Sequence, residues 1–531
     1  NKLYYDAYKK DMTAGTYPDV RSGLQKLLKD GLLLFNYTGH GGTTALSDEK
    51  VLTQTDINQF TYTHLPVWVT ATCDFTRFDD LNTSAGEDVF LNKSSGGIAL
   101  FTTVRVAYSR PNFPINDNVI RNLFERNNGR RRTLGEVMQA TKNTLSSVYK
   151  LGFCLIGDPA VKMAYPEFGM KVTTVNGQSV DGNSISFKAL EKITVEGEVL
   201  DASGQLVTDF TGIVNPTVKD SKVTVTCLKN SNKDDSPAFT FTDYPNTIFI
   251  GNDSVRNGKF SFTFTVPKDI SYSNLQGKMN LYAVDTESGN EAQGNFDNFI
   301  VGGTSDTAET DTIGPEIRAL YLNDTTFVDG GQVNTTPYFV AELWDKSGVN
   351  ITGSSVGHDM MLVIDESTVL SYNLNSYYEL LLGEDGTGIV KFPIPALEPG
   401  KHTAEFWVWD ILNNSTVRTF TFEVVEGLKP FLFDVIATPG IAREQVTFHL
   451  MHNRPESRMR VGIMVYDLAG RQLWKHEESG TSGLFENYTV SWDLTSGGAR
   501  MRPGVYIYRA AISTDNSKDA TKARKFIILG E

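Results

Sequence analysis

Three features are scarce or missing in this 531-residue sequence. Its three cysteines, Cys73, Cys154 and Cys227, form an odd and scattered set that fits neither a disulfide framework nor a zinc site with paired ligands. No apolar run reaches the roughly 18–20 residues that a membrane helix needs. The formal net charge of −14 argues against nucleic acid as a partner, because phosphate binding requires a basic face. We therefore expect folded globular domains that act on something other than nucleic acid.

The chain divides into an α/β part and a longer all-β part. Over residues 1–166, buried apolar runs such as "GLLLFNYT" (31–38) and "LPVWVTAT" (65–72) alternate with helical patterns, which is typical of an α/β layer. The patterns yield only three or four strands, roughly the lower end for such sheets. We therefore expect this domain to be truncated at its N-terminal side, with part of it upstream of residue 1.

From residue 167 onwards, short alternating segments bounded by turn residues replace the helical patterns. They predict two Ig-like β-sandwich modules, at 167–302 and 310–426, joined by a polar, acidic linker. A further change of pattern predicts a separate all-β unit at 427–531. Modules of this kind commonly serve spacing, docking or secretion.

Two predicted strand ends in the α/β part carry candidate catalytic side chains. His40 lies between glycines after the first run, Cys73 follows the second, and 73 − 40 = 33 residues separate them. That separation predicts a parallel crossover, which would bring both side chains to one edge of the sheet. A neighbouring histidine can activate a thiol, and the N–H groups of Gly41 and Cys73 could form an oxyanion hole. Taken singly, a histidine after a strand is usually a loop residue, and a cysteine after a strand is usually a small buried side chain.

The loop after Cys73 raises the question of a metal. Asp74, Asp79 and Asp80 crowd this loop and offer the oxygen ligands that Ca²⁺ prefers. Hydrogen bonding within the loop is the favoured alternative, so we predict no cofactor. The basic stretch "RNNGRRRT" (126–133) is similarly interpreted as a solvated loop rather than an anion site.

Three motifs of the α/β part, "NYTGHGG", "TATCDF" and "GDPAVKMAYP", resemble the catalytic half of the gingipain family. The resemblance implies a caspase-like cysteine peptidase with His40 and Cys73 as the catalytic dyad and with Gly41 and Cys73 as oxyanion donors. It also implies that the acidic residue orienting the histidine lies in the preceding half of the domain. The stretch 108–117 matches the place where family members close the substrate pocket, which makes Phe113 a pocket candidate, although an aromatic residue between prolines often only packs within its loop.

The C-terminal strands resemble another group of proteins. "VGIMVYDLAGRQLWK" (461–475) and "PGVYIYR" (503–509) are similar to the sorting domain of cargo exported by the type IX secretion system. By pattern alone, the turn at Asp467–Gly470 and the alternating Tyr506 and Tyr508 also fit an ordinary Ig-like hairpin.

Together, the two resemblances imply a sortase at the bacterial cell surface, associated with the outer membrane. Its expected partners are the C-terminal sorting domains of cargo, an anionic lipopolysaccharide acceptor and other outer-membrane components of the secretion system. Two alternatives remain open. One is a secreted, hydrolytic gingipain-like protease, and the other is a non-catalytic surface scaffold with a vestigial dyad.

Overall fold

The structure is a computed structural model that describes residues 1–93, 95–127, 129–230, 236–306, 311–353, 357–381, 386–514 and 516–530. Its first part, the α/β unit (residues 1–165), mixes helices with short strands. Its helices are α1 (Pro18–Asp30), α2 (Gln54–Gln59), α3 (Ala85–Leu91), α4 (Ser109–Phe124) and α5 (Leu134–Thr144). Its strands are β1 (Leu34–Thr38), β2 (Ala45–Leu46), β3 (Leu52–Thr53), β4 (Val67–Ala71), β5 (Ala99–Thr103), β6 (Arg126–Asn127), β7 (Arg130–Arg131) and β8 (Phe153–Ile156).

The central sheet of the α/β unit has the strand order β1-β4-β5-β8. The first three strands run parallel, as predicted for β1 and β4, and β8 is antiparallel to β5. All five residues of both β4 and β5 are buried, because apolar layers cover both faces of the sheet. Val20, Leu24 and Leu28 of α1 belong to one of these layers. Side chains of α4 and α5 belong to the other.

Two helices of this unit test the sequence patterns in different ways. The pattern of Thr133 followed three residues later by Glu136 predicts a capping box at the start of α5. The structure contains it, since Thr133 Oγ1 accepts the Glu136 N–H at 3.3 Å while Glu136 accepts the Thr133 N–H at 2.9 Å. The sequence "NDNVIRNLFERN" (116–127) predicts a helix, but α4 begins earlier, at Ser109. The prolines made the stretch 108–117 look like a loop. Pro111 lies in the first helical turn, where no N–H partner is needed, and Pro114 removes only one intrahelical bond.

The basic stretch 126–133, predicted to be a solvated loop, lies at the surface but is partly paired as strands. It contains the antiparallel pair β6–β7, and its arginines pair with carboxylates instead of pointing freely into water. Arg126 and Arg131 both contact Glu167, and Arg130 contacts Glu136 at 2.5 Å. These pairs partly neutralise the cluster.

Within the described ranges, the rest of the chain consists of strands and one short 3-10 helix (Asn375–Tyr377), and its three largest apolar clusters define the first, second and third β units. The first consists of strands Phe168–Val175, Gln178–Ser179, Ile185–Ala189, Lys192–Leu200, Gly212–Lys219, Val223–Thr226, Thr240–Asp243, Thr247–Ile250, Asp253–Arg256, Lys259–Thr265, Leu275–Gln276, Lys278–Asp285, Glu291–Phe296 and Phe299–Thr304. The second consists of Glu316–Leu322, Gln332–Val333, Tyr338–Trp344, Met361–Ile364, Ser371–Asn373, Tyr378–Leu380, Gly388–Pro393, Gly400–Trp409 and Ser415–Val424.

The third β unit consists of strands Leu432–Thr438, Ile441–Ala442, Val446–His452, Met459–Tyr466, Gln472–Gly480, Tyr488–Trp492, Thr495–Ser496, Ala499–Arg500, Gly504–Thr514 and Ala520–Ile528. The turn predicted at Asp467 is present, since its carboxylate accepts the N–H groups of Ala469 and Arg471. Tyr506 and Tyr508 are both buried on one face of their strand, as predicted. The assignment of these units as Ig-like or sorting domains stays a prediction.

The α/β unit contacts all three β units. Its N-terminal segment lies on a hairpin of the first β unit, where Tyr4 and Phe241 have their ring centroids 4.5 Å apart. Helix α1 reaches the other two, with Lys26 above the Tyr377 ring and Lys29 paired with Glu456 at 2.8 Å. Within the described ranges, the structure contains no helix that is both long and apolar enough to cross a membrane.

Candidate active site

The two candidate catalytic residues follow neighbouring parallel strands at the same distance. Thr38 at the end of β1 pairs with Ala71 at the end of β4. His40 and Cys73 each come two residues after this pair. The chain therefore delivers an imidazole and a thiol to the same carboxyl edge of the sheet, the edge where parallel sheets usually build their sites.

Gly41 packs directly against the residue that precedes Cys73. A Cβ atom at Gly41 would lie 2.4 Å from Thr72 Oγ1, so only glycine fits here without movement. The bridge between Gly41 and Leu46 uses the bonds from Gly42 N–H to Ala45 O and from Ser47 N–H to His40 O. This pattern leaves the Gly41 N–H outside the ladder. Across the described ranges, neither this N–H nor that of Cys73 donates a hydrogen bond, so both are available to a substrate oxygen.

The backbone of His40 is fixed although its side chain is exposed. The His40 carbonyl accepts the Tyr37 hydroxyl at 2.6 Å and the Ser47 N–H at 2.8 Å. Tyr37 is 9% exposed, and burial raises its pKa above the ordinary value, so the hydroxyl remains a donor. A Cβ at Gly39 would lie 2.7 Å from that hydroxyl. This role of Tyr37 does not follow from the sequence pattern, although the residue belongs to the motif "NYTGHGG".

The thiol of Cys73 is half-buried and lies against the backbone of Ala107. Sγ donates to Ala107 O at 3.2 Å and accepts the Ala107 N–H at 3.4 Å. Across the part of the chain that the structure describes, no hydrogen bond joins this thiol to the His40 imidazole. In this structure the thiol proton is directed at Ala107 O and not at His40. Asp74, the next residue, has a left-handed φ of 50°, which marks a sharp backbone turn after the thiol.

Aromatic side chains lie beyond Ala107. Tyr108 packs edge-on against Tyr149 with centroids 5.3 Å apart, and a small cavity behind them is lined by Asn112 and Ile115. Phe113 does not line this cavity and is 68% exposed on the surface of α4. Its proposed contact with substrate stays a prediction.

Two of the three aspartates considered for calcium pair with arginines. Asp79 binds Arg105 through two oxygens, at 3.0 and 2.5 Å, and Asp80 pairs with Arg77 at 3.5 Å. Among the described side chains with suitable ligand atoms, no group of three forms around Asp74.

A different carboxylate group does come together, in the second β unit. Atoms of Asp311, Asp345 and Asp410 lie within 4.8 Å of one another. Burial raises the pKa of Asp345 to about 6 and also raises that of Asp410. Each carboxylate accepts backbone N–H groups of its own turn, for example those of Ser347 and Gly348 at Asp345. These residues come from three distant stretches of chain, so no sequence spacing indicated them.

Comparison with known proteins assigns the α/β unit to a family. The model of peptidase family C25 matches residues 1–164. Residues 1–164 belong to peptidase family C25. The predicted gingipain-family membership is thereby confirmed for this C25 segment. A comparison with curated proteins gives no match.

Several solved structures are similar to the chain. Dimeric latent PorU from Porphyromonas gingivalis is 34% identical, with 97% of this chain and 47% of that chain covered and a TM-score of 0.34. The Arg-specific cysteine proteinase gingipain R is 19% identical, with 53% and 56% covered and a TM-score of 0.26. The chain thus spans about half the length of these proteins.

Proposed function

We propose that this chain forms part of a C25 cysteine peptidase in which Cys73 is the nucleophile and His40 is the general base and acid. The main support is that His40 and Cys73 each follow the paired residues Thr38 and Ala71, at the ends of β1 and β4, by two positions. Exposure of His40 and partial exposure of Cys73 support the same assignment, because a substrate chain can reach them.

In the first step His40 takes the proton of the Cys73 thiol, and the thiolate attacks the scissile carbonyl carbon. The N–H groups of Gly41 and Cys73 would hold the resulting oxyanion, and both lack another acceptor within the described structure. The C–N bond then breaks, and His40 returns its proton to the leaving amine. A thioester on Cys73 remains.

In the second step an amine or a water molecule attacks the thioester and releases the Cys73 thiol. An amine acceptor gives transpeptidation, and water gives hydrolysis. We favour transpeptidation by a cell-surface sortase that removes C-terminal sorting domains from secreted cargo and joins the new carboxyl end to anionic lipopolysaccharide. The resemblance of 461–475 and 503–509 to sorting domains supports this role, as does the similarity to PorU over nearly the whole chain. The same proposal places the protein at the outer membrane and gives it the other outer-membrane components of the secretion system as partners.

The test is Cys73→Ala in the native cell, with Cys154→Ala as the matched control. Cys154 is a second partly exposed thiol of the same unit. With Cys73→Ala, cargo should keep its sorting domain and fail to reach the glycolipid, while Cys154→Ala should process cargo normally. Normal processing by Cys73→Ala would overturn the proposal and favour a scaffold with a vestigial dyad.

The purified protein separates the sortase from the hydrolytic alternative. A sortase should act on a cargo junction and, when a primary amine is supplied, yield a product carrying that amine. A hydrolytic gingipain-like protease should instead cut unrelated peptides to free acids with a defined side-chain preference. Efficient cleavage of unrelated peptides would overturn the transpeptidase part of the proposal and leave the dyad intact.

A further inference from the structure

The first β unit makes many contacts with the first residues of the α/β unit. Asp6 accepts the N–H groups of Lys229 at 2.9 Å and Asn230 at 2.7 Å, and its carbonyl accepts the Leu228 N–H at 2.7 Å. The Asn230 amide also donates to Tyr8 O at 2.8 Å. More than two hundred residues separate these partners along the chain.

The same N-terminal residues also contact the strand Thr240–Asp243 of the first β unit and the residue before it. Tyr4 packs against Phe239 and Phe241, with ring centroids 5.6 and 4.5 Å apart. The strands Val223–Thr226 and Thr240–Asp243, together with Leu228–Asn230, are called the clamp hairpin below. A hairpin that makes side-chain, backbone and aromatic contacts to one short segment fixes the course of that segment.

The clamped segment continues into the site. Tyr5, between the clamped residues Tyr4 and Asp6, packs against Tyr17 at 5.6 Å and lines one cavity together with Tyr37. Tyr5 also packs against the apolar cluster that contains both Tyr17 and Tyr37. Tyr37 in turn donates its hydroxyl to the His40 carbonyl at 2.6 Å. A continuous series of contacts thus connects the clamp hairpin to His40.

We propose that the clamp hairpin positions His40, acting through Tyr4–Tyr8 and the Tyr37 hydroxyl. Tyr37 is a positioning residue, because it touches the backbone of His40 and not the reacting atoms. The inference rests on the proposed function of His40. It makes the first β unit a structural component of the active site, beyond any spacing or docking role.

The first experiment compares Tyr37→Phe with Tyr62→Phe in the purified protein. Both tyrosines are 9% exposed, and Tyr62 donates to Gly96 O at 2.8 Å, so the two variants lose the same kind of bond in the same unit. Loss of one such bond at His40 should lower kcat roughly tenfold with little change in KM. Tyr62→Phe should keep kcat within about twofold.

A second pair of variants tests the clamp itself. Asp6→Ala removes the acceptor of the Lys229 and Asn230 N–H groups, whereas Asp11→Ala removes one that serves Thr13 and Ala14 in its own turn. Because both bonds to the clamp hairpin are lost, Asp6→Ala should lower kcat at least threefold, whereas Asp11→Ala should leave kcat unchanged. Equal effects of the two aspartate variants would refute the clamp.

The pH dependence of Cys73 alkylation by iodoacetamide, followed by peptide mass spectrometry, separates positioning from general destabilisation. At pH values below roughly 8, an ordinary thiol is mostly protonated and reacts slowly. Alkylation of Cys73 in that pH range should depend on His40, and it should be slower in Tyr37→Phe and Asp6→Ala but not in Tyr62→Phe. If His40→Ala leaves the wild-type profile unchanged, the dyad itself is wrong. If His40→Ala changes the profile and Tyr37→Phe does not, only the positioning inference is overturned.

Discussion

Replacement of Gly41 by alanine perturbs the site at its tightest contact. The new methyl group would lie 2.4 Å from Thr72 Oγ1 and 3.1 Å from its Cγ2, and ordinary contacts begin at 3.4 Å. One of the two chain segments must therefore move by about 1 Å. A displacement of that size at an oxyanion donor lowers kcat by roughly a hundredfold. The overpacking costs about 1–3 kcal/mol of stability.

The neighbouring glycine supplies the control for this change. A Cβ at Gly42 meets no atom within 4 Å, so Gly42→Ala should keep kcat/KM close to the wild-type value. Thr72→Ala should partly rescue Gly41→Ala, since only the Thr72 Cβ then remains, at 3.3 Å from the new methyl group. Steady-state kinetics on a cargo-junction peptide compares the wild type, Gly41→Ala, Gly42→Ala and the double variant Gly41→Ala/Thr72→Ala. Full activity of Gly41→Ala, or an equal loss in Gly42→Ala, would refute the steric reasoning.

Three further predictions concern stability. Thr72→Val removes a buried hydroxyl that has no partner among the described residues, so the free energy of unfolding should rise by roughly 1 kcal/mol in chemical denaturation. Asp345 has its pKa raised from 3.8 to about 6, so its contribution to stability is lost as pH rises through that range. Asp345→Asn should therefore be more stable than wild type at pH 7, by up to about 3 kcal/mol, and equal to it near pH 4. A pH-independent difference in melting temperature would contradict this. Thr133→Ala should cost about 1 kcal/mol through loss of the α5 cap, and an unchanged thermal melt would argue against it.

The strands and the pairing that position the site followed from local patterns. The apolar runs that became β1 and β4 are buried strands, and the connection between them, which contains α2, is long enough for a parallel crossover. The early start of α4 did not follow, because Pro111 and Pro114 signal a break in sequence whereas prolines near a helix N-terminus are tolerated.

Contacts between distant parts of the chain were beyond sequence reasoning. The packing of Gly41 on Thr72 depends on how two loops meet above the sheet, and the bond between Asp6 and Asn230 crosses from one unit to another. The carboxylate group of Asp311, Asp345 and Asp410 likewise forms only when three separate turns come together. Periodicity describes an element and its buried face, and it carries no information on such tertiary approaches.

The most direct test of the account is to trap the acyl intermediate. The protein is mixed with a cargo-junction peptide, quenched in acid within one turnover and mapped by mass spectrometry. We predict a thioester on Cys73 that carries the N-terminal part of the peptide, absent from Cys73→Ala and strongly reduced in His40→Ala. Cleavage without any adduct on Cys73, or an adduct on Cys154 instead, would contradict the central claim that these two strand ends form the catalytic site.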